Sequence, residues 1–305
     1  MTKWRGEKLP EPGCNFSGRD VVLAFMNAIL VTGATGNVGR PLVTQLASAG
    51  VEVRAVTRQP DTARFPDGVK VVGTAAEGLS GASAVFLNSR ALGDELGPLV
   101  RRAGREGVTR LVALSAINAD DDFSRQPSRF RGDRNKEVEQ LAVDSGLEWV
   151  SLRPTVFITN FFGMWGPQIQ AGDVVSGPYA TASTAPIVDR DISAVAATAL
   201  LTDELVGRKI PLTGPQAFTN TDLVELIGTV LSRPLRYQEV PVELVRQRFL
   251  GLGFSSGFAD AYIAFLEATV SKPALVTYEV EKILGRPAET VAESVAAHRE
   301  LFINQ

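Results

Sequence analysis

The chain has 305 residues, 45% of them hydrophobic, enough for one large α/β domain or two interleaved ones. Its 34 acidic side chains outnumber 31 basic ones and leave a net charge of -3, which argues against a nucleic-acid-binding surface. The single cysteine, Cys14, and the single histidine, His298, exclude an internal disulfide, a cysteine metal cluster, histidine-based triads and most zinc sites, so no metal is expected.

Residues 1–25 are polar and interrupted by Gly6, Pro10, Pro12, Gly13 and Gly18. The apolar residues 21–26 are too short for a signal segment with a cleavage site. The stretch reads as an N-terminal extension or a mis-assigned start; the other reading is an arm packed on the surface. No apolar run reaches the roughly 18 residues of a bilayer span, so a cytoplasmic protein without membrane contact is expected.

Ala28 to Val31 is a short apolar run that reads as a buried strand. Gly33, Gly36 and Gly39 follow at G-x-x-G-x-x-G spacing, and a helical pattern runs from Val38 through Leu42, Val43 and Leu46 to Gly50. Strand, glycine turn and helix in that order are the context in which such a motif binds a dinucleotide. Gly33 allows a tight turn, Gly36 lets a backbone approach a pyrophosphate, and Gly39 lets the helix pack close to the strand. The helix N-terminus adds free N–H groups and a partial positive charge.

Residues 51–56 read as a second strand ending at Thr57-Arg58, and 69–72 as a third. Residues 84–87 are a fourth, ending in Asn88-Ser89-Arg90, and 96–106 are helical. Residues 111–114 form a fifth strand, ending at Ser115; a polar loop (118–129), a helix (131–145) and a sixth strand (147–152, closed by Arg153-Pro154) follow. Alternating strands and helices imply an α/β fold with a doubly wound, Rossmann-like parallel sheet. Ligands of such sheets bind beyond the carboxyl ends of the strands, which singles out Arg58, Asn88, Ser89 and Ser115.

Residues 155–165 are apolar and carry Phe157, Phe161, Phe162 and Trp165. They wall a ligand pocket or form a buried connection whose aromatics are core, and the sequence leaves both open. A loop (172–185), a short strand (186–188), a helix (191–202) and a strand (209–212) come next. Helical stretches at 222–231, 242–250, 258–269 and 289–302 make a smaller, mainly helical C-terminal part, with His298 as a solvated helix residue. The expected division is an extension (1–25), a nucleotide domain (26–160, with 186–214 returning to it), and a substrate-binding part (161–185 and 215–305).

An acid at the end of the second strand would favour NAD by binding the ribose 2′-OH. Arg58 stands there instead and can pair bidentately with a 2′-phosphate, with Arg40 a second candidate. The sequence therefore favours NADP(H).

Thr32-Gly-Ala-Thr-Gly-Asn-Val-Gly39, Val53-Arg-Ala-Val-Thr-Arg58, Lys136-x-x-Glu139, Ser145-Gly-Leu-x-Trp-Val-x-Leu-Arg-Pro-x-x-Phe157 with Asn160, Asp191-Ile192, Leu212-Thr-Gly-Pro215 and Leu284-Gly-Arg-Pro287 together make a specific pattern. It resembles the NmrA-like branch of the atypical short-chain dehydrogenase/reductases from about residue 27 to the end. Members of that branch include NADPH-dependent quinone, ketone and dye reductases, and regulators that bind the nucleotide without turning it over. The resemblance implies that the loop of Gly33, Thr35, Gly36, Asn37, Val38 and Gly39 holds the pyrophosphate, and that Arg58 meets the 2′-phosphate. It also implies that Pro154, Thr155 and Phe157 lie against the nicotinamide, with Lys136 near its ribose.

The wider reductase family uses a Tyr-x-x-x-Lys pair, the tyrosine giving a proton to the carbonyl oxygen. Four residues before Lys136 stands Gly132, so that acid is missing. Ser115 and Lys136 remain as candidate catalytic residues, and Asn160, Phe161, Trp165 and Tyr179 as candidate substrate contacts. The reading is an NADPH-dependent reductase of an aromatic ketone or quinone, a monomer or homodimer, with the proton drawn from the substrate. The alternative is a non-catalytic NADP(H)-binding regulator that holds a protein partner.

Overall fold

The computed structural model describes residues 28–303, so the extension at 1–25 and Cys14 lie outside the described residues. β1 (Ala28–Val31) is buried along its whole length and feeds the glycine turn. α1 (Gly39–Ser48) buries Leu42, Val43 and Leu46 on one stripe, the spacing of an amphipathic helix. β2 (Val53–Val56) and β3 (Lys70–Val72) lead to α2 (Ala75–Leu79), a short helix closed by a capping box between Thr74 and Glu77. β4 (Ala82–Asn88), α3 (Ser89–Leu92), α4 (Leu96–Ala103) and β5 (Arg110–Leu114) follow. Then come α5 (Asn135–Val143), β6 (Glu148–Pro154) and α6 (Ile158–Ala171).

The remaining chain supplies β7 (Val174–Gly177), β8 (Ser183–Thr184), α7 (Asp189–Leu201), β9 (Arg208–Leu212), β10 (Phe218–Thr219) and α8 (Asn220–Leu231). It ends with β11 (Arg236–Glu239), α9 (Val242–Gly251), α10 (Ser256–Glu267), α11 (Glu279–Leu284) and α12 (Val291–Ala297).

Seven strands form one sheet in the order β3-β2-β1-β4-β5-β6-β9, and every neighbouring pair is parallel. The order reverses between β1 and β4, and the crevice there is where such folds take ligands. Both faces are covered, which is why the central strands read as continuous apolar runs. α1, α7 and α11 pack on one face around Val31, Phe86 and Val150. The helices α2, α4 and α5 cover the other, around Leu30, Val85 and Leu111.

The structure departs from the sequence expectation where pairing or packing is non-local. The apolar stretch at 155–165 is mostly helix, and Phe161, Phe162 and Trp165 pack with Leu223, Ile227 and Phe302 in a third apolar cluster. The stretch expected as a loop at 172–185 contains β7, paired with β11, and β8, paired with β10. Those partners lie far along the chain, beyond the reach of local patterning. Residues 186–188 are no strand; Ile187 makes a single parallel bridge to Phe157. The helix expected from 131 begins at Asn135, because Gly132 turns with φ +99 and ends the preceding 3₁₀ turn (Pro127–Arg131). The last helix stops at Ala297 and a 3₁₀ turn (Arg299–Leu301) follows, with His298 exposed between them.

Two of the motifs quoted above meet in space. Asp191 is fully buried; its Oδ1 pairs with the Arg286 guanidinium at 2.7 Å and its Oδ2 accepts from the Glu289 N–H at 2.7 Å. The pair fastens the C-terminal segment onto α7. Removing one partner of such a pair strands a buried charge. Arg286→Ala is therefore predicted to destabilise the fold by about 3 kcal/mol. A urea-unfolding midpoint equal to the parent's would contradict this.

Candidate functional site

The glycine turn leaves the carboxyl end of β1 at the strand-order reversal. Thr32 is buried there; its hydroxyl donates to the Phe86 carbonyl at 2.8 Å and accepts from the Asn88 N–H at 2.8 Å. Gly33 has φ +67, and a Cβ on it would lie 3.0 Å from Asn88 Nδ2. A Cβ on Gly39 would overlap the Gly33 carbonyl, so helix and turn are packed backbone to backbone. Gly36 differs: it is exposed, and only the Gly33 carbonyl, 3.3 Å from its Cβ position, crowds it. The backbone N–H groups of Thr35, Asn37 and Val38 find no acceptor among the described residues. α1 begins with no capping side chain and no acid in its first turn. Uncapped amides and a bare helix N-terminus form an anion cradle, and the pyrophosphate of a dinucleotide fits it.

Asn37 ties this loop to the next layer. Its Nδ2 donates to Thr159 Oγ1 at 3.0 Å, and the Thr159 hydroxyl donates to Asp189 Oδ1 at 3.1 Å. Burial pushes the Asp189 carboxyl up, and the hydrogen bond from Thr159 works against that push. Ser193 reaches from α7 to the Val38 carbonyl at 2.9 Å.

Arg58 is exposed past β2 and lines a cleft of about 440 Å³ together with Arg90, Gly93, Asp94, Arg131, Gly132 and Arg134. Arg40 does not line it: its guanidinium donates to the Arg64 carbonyl at 3.1 Å and lies 5.7 Å from the Phe65 ring. Asn88 and Ser89 are not in the lining but brace the turns that carry Arg90 and Arg134. Asn88 Oδ1 accepts from the Ala91 N–H at 3.0 Å and caps α3, while buried Ser89 Oγ accepts from the Arg134 N–H at 2.9 Å.

Further along the edge, buried Ser115 donates its hydroxyl to the Asn135 carbonyl at 2.9 Å, next to Lys136. The Lys136 ammonium is half exposed, 3.9 Å from Asp120 Oδ1. Asp120 Oδ2 pairs with Arg153 at 2.8 Å, and Arg153 grips Glu139 through Nε at 2.7 Å and Nη2 at 2.6 Å. Lys209 at 2.6 Å and the Ser151 hydroxyl at 2.5 Å complete the shell around Glu139. Burial alone would push the Glu139 carboxyl up, but the hydrogen bonds from Arg153, Lys209 and Ser151 and the Arg153 charge outweigh it and hold it at about 2.

Pro154 ends β6 opposite Leu212, and Thr155 donates its hydroxyl to the Ala185 carbonyl at 2.6 Å. Phe157 precedes α6, and Asn160 is exposed on its first turn. Phe161 and Trp165 turn inward, 6% and 3% exposed, with ring centroids 4.7 Å apart. Tyr179, at φ +52, borders another cleft, of about 480 Å³, with Glu239, Val240, Pro241 and Val242. Sequence reasoning missed Asp120, Thr159, Asp189, Arg131 and Arg134. Only Arg90 carried a signal, as the third residue of the turn past the fourth strand.

Fold and loop together define a protein that binds a dinucleotide at the carboxyl edge of its sheet. The comparisons agree. Residues 33–202 match the family model described as NAD(P)H-binding. The (4-alkanoyl-5-oxo-2,5-dihydrofuran-3-yl)methyl phosphate reductase of Streptomyces griseus subsp. griseus is 34% identical, over 90% of this chain and 99% of that protein. The NAD(P)H azoreductase of Xenophilus azovorans is 29% identical over 90% and 99%. Among solved structures, the NADPH-dependent quinone oxidoreductase of Escherichia coli complexed with NADPH superposes with a TM-score of 0.73 at 22% identity, covering 88% of this chain and 99% of that one. The chain belongs to the NAD(P)H-binding family and is an oxidoreductase. No helix among the described residues is long and apolar enough to cross a membrane.

The Glu139 shell has a pH signature. Its carboxyl is depressed on folding from 4.5 to about 2, so it contributes stability that is present above pH 4.5 and lost as pH falls toward 2. Glu139→Gln is predicted to lower stability at neutral pH and to flatten the acid limb across that window. Unfolding midpoints measured against pH check this; identical acid limbs for parent and variant would contradict it.

Proposed function

We propose that the chain is a reductase that prefers NADPH and acts on a carbonyl of an aromatic ketone or quinone in the cytoplasm. The observation that carries the reading is the uncapped loop, with the unpartnered amides of Thr35, Asn37 and Val38, beside a cleft that presents Arg58. When bound, the cofactor supplies a hydride. The loop binds its pyrophosphate, Arg58 its 2′-phosphate, and Pro154, Thr155 and Phe157 back the nicotinamide. Residues 26–160 with 186–214 make the nucleotide part, and 161–185 with 215–305 the substrate part, in a monomer or homodimer.

As hydride reaches the carbonyl carbon, the oxygen needs a proton or a hydrogen bond. Gly132 offers none, and the Ser115 hydroxyl is committed to the Asn135 carbonyl. Lys136 is half exposed and restrained near Asp120, which suits holding a ribose hydroxyl or a water. The proton therefore comes from the substrate, through a phenol hydrogen-bonded to the ketone, while the protein orients the reactants and excludes water. The names of the azoreductase and the quinone oxidoreductase fit a flat, electron-poor acceptor. A second reading, a substrate that carries a phosphate, is favoured by the Streptomyces relative and by the arginines around Arg58.

The test follows NADPH absorbance with quinones and hydroxylated aromatic ketones. Turnover is predicted with at least one of them, retained in Ser115→Ala and Lys136→Ala. An analogue with the neighbouring phenol methylated should react far more slowly. Normal reduction of that analogue, together with a dead Ser115→Ala, would place the proton route in the protein.

A further inference from the structure

Arg58, Arg90, Arg131 and Arg134 arrive at one cleft from three separate segments: the end of β2, the start of α3 and the turn before α5. Asp94 is the single carboxylate in the lining. Several guanidinium groups elsewhere in the molecule are matched to acids, among them Arg153 to Glu139, Arg208 to Glu279, Arg233 to Asp173 and Arg286 to Asp191. Around the cleft they are not. Arg58 and Arg90 donate to no acceptor among the described residues. Arg131 lies 5.6 Å from the Phe254 ring, and Arg134 spends one nitrogen on the Arg129 and Asp133 carbonyls. Asp133 is a half-buried acid within the field of three of them. Burial pushes its carboxyl up against the fields of Arg90, Arg131 and Arg134, and this group and Asp94 together do not balance four guanidinium groups. Like charges held in one cleft repel one another, and an entering dianion turns that repulsion into attraction.

We propose that Arg90, Arg131 and Arg134, with Arg58, form a site for a phosphomonoester dianion. A phosphomonoester carries close to two negative charges and three terminal oxygens, and planar guanidinium forks pair with it bidentately. Gly132, at φ +99, puts no side chain into this wall, and a Cβ there would sit 3.7 Å from Arg90 Cγ. The proposal rests on the reading above in one respect, that Arg58 faces a bound dinucleotide. It assigns three further residues as determinants of specificity. The turn that carries Arg131 and Arg134 runs directly into α5, so a bound anion also fixes the start of the helix that holds Lys136. The phosphate has two possible sources, the 2′-phosphate of the cofactor and a phosphate on the substrate.

The experiment uses the full chain, with Arg90→Gln and Arg131→Gln, thermal midpoints as a check on folding, and Arg90→Lys as a conservative second variant. NADPH and NADH are titrated calorimetrically into each protein, and phenyl phosphate into each protein saturated with NADPH. If the cofactor is the source, each Gln variant loses about tenfold in affinity for NADPH and nothing for NADH, and Arg90→Lys recovers part of the loss. If the substrate is the source, both dinucleotides bind as in the parent, and phenyl phosphate binds the parent complex but not the Gln variants. Unchanged NADPH and phenyl phosphate titrations in both Gln variants overturn the proposal. Failure of the dinucleotide reading shows separately, as a parent that binds neither NADPH nor NADH. Phenyl phosphate titrated into the free proteins then decides the cleft alone: binding lost in the Gln variants supports it, and no binding to the parent overturns it.

Discussion

The Thr32 hydroxyl locks the ends of β1 and β4 together at the point where the strand order reverses. Everything that touches the nucleotide edge hangs on this clamp. The chain leaves β1 into the glycine turn and leaves β4 into α3, and the crevice opens between them. Because Gly33 packs against Asn88 and Gly39 against the Gly33 carbonyl, the turn has little freedom to relax. Its outward amides are therefore held open for a ligand and do not fold back onto the protein.

Two polar networks hold the rest of the edge against this fixed point. On one side, Asn37, Thr159 and Asp189 connect the loop to α6 and α7. On the other, Glu139 gathers Arg153, Lys209 and Ser151, and Arg153 passes the chain of charge to Asp120 beside Lys136. Burying the Glu139 charge is costly, and a full set of partners offsets the cost. α5, β6 and β9 are thereby held in register where the candidate catalytic residues sit. Ser115 belongs to the same scaffold, since its hydroxyl braces the first turn of α5.

The sheet was legible in the sequence because its signals are local. Strands buried on both faces read as apolar runs, and the glycine spacing sits between a strand and a helix. Arg58 was legible because a strand end is a known place in such a sheet. The arginine cleft was not, since Arg90 and Arg131 lie far apart in sequence and only the turn closed by Gly132 brings them together. Phe161 and Trp165 face the core because α8 and the C-terminal residues cover that side of α6, which no local pattern encodes. The β7–β11 pairing was hidden for the same reason.

Amide hydrogen exchange across residues 32–40 tests the cradle most directly. Thr35, Asn37 and Val38 have no acceptor among the described residues, so their amides should exchange rapidly in the free protein. Saturating NADPH should slow them, while the Thr32 amide, already bonded to the Phe86 carbonyl at 3.1 Å, changes little. Equal exchange at Thr35, Asn37 and Val38 with and without NADPH would contradict a pyrophosphate held by this loop.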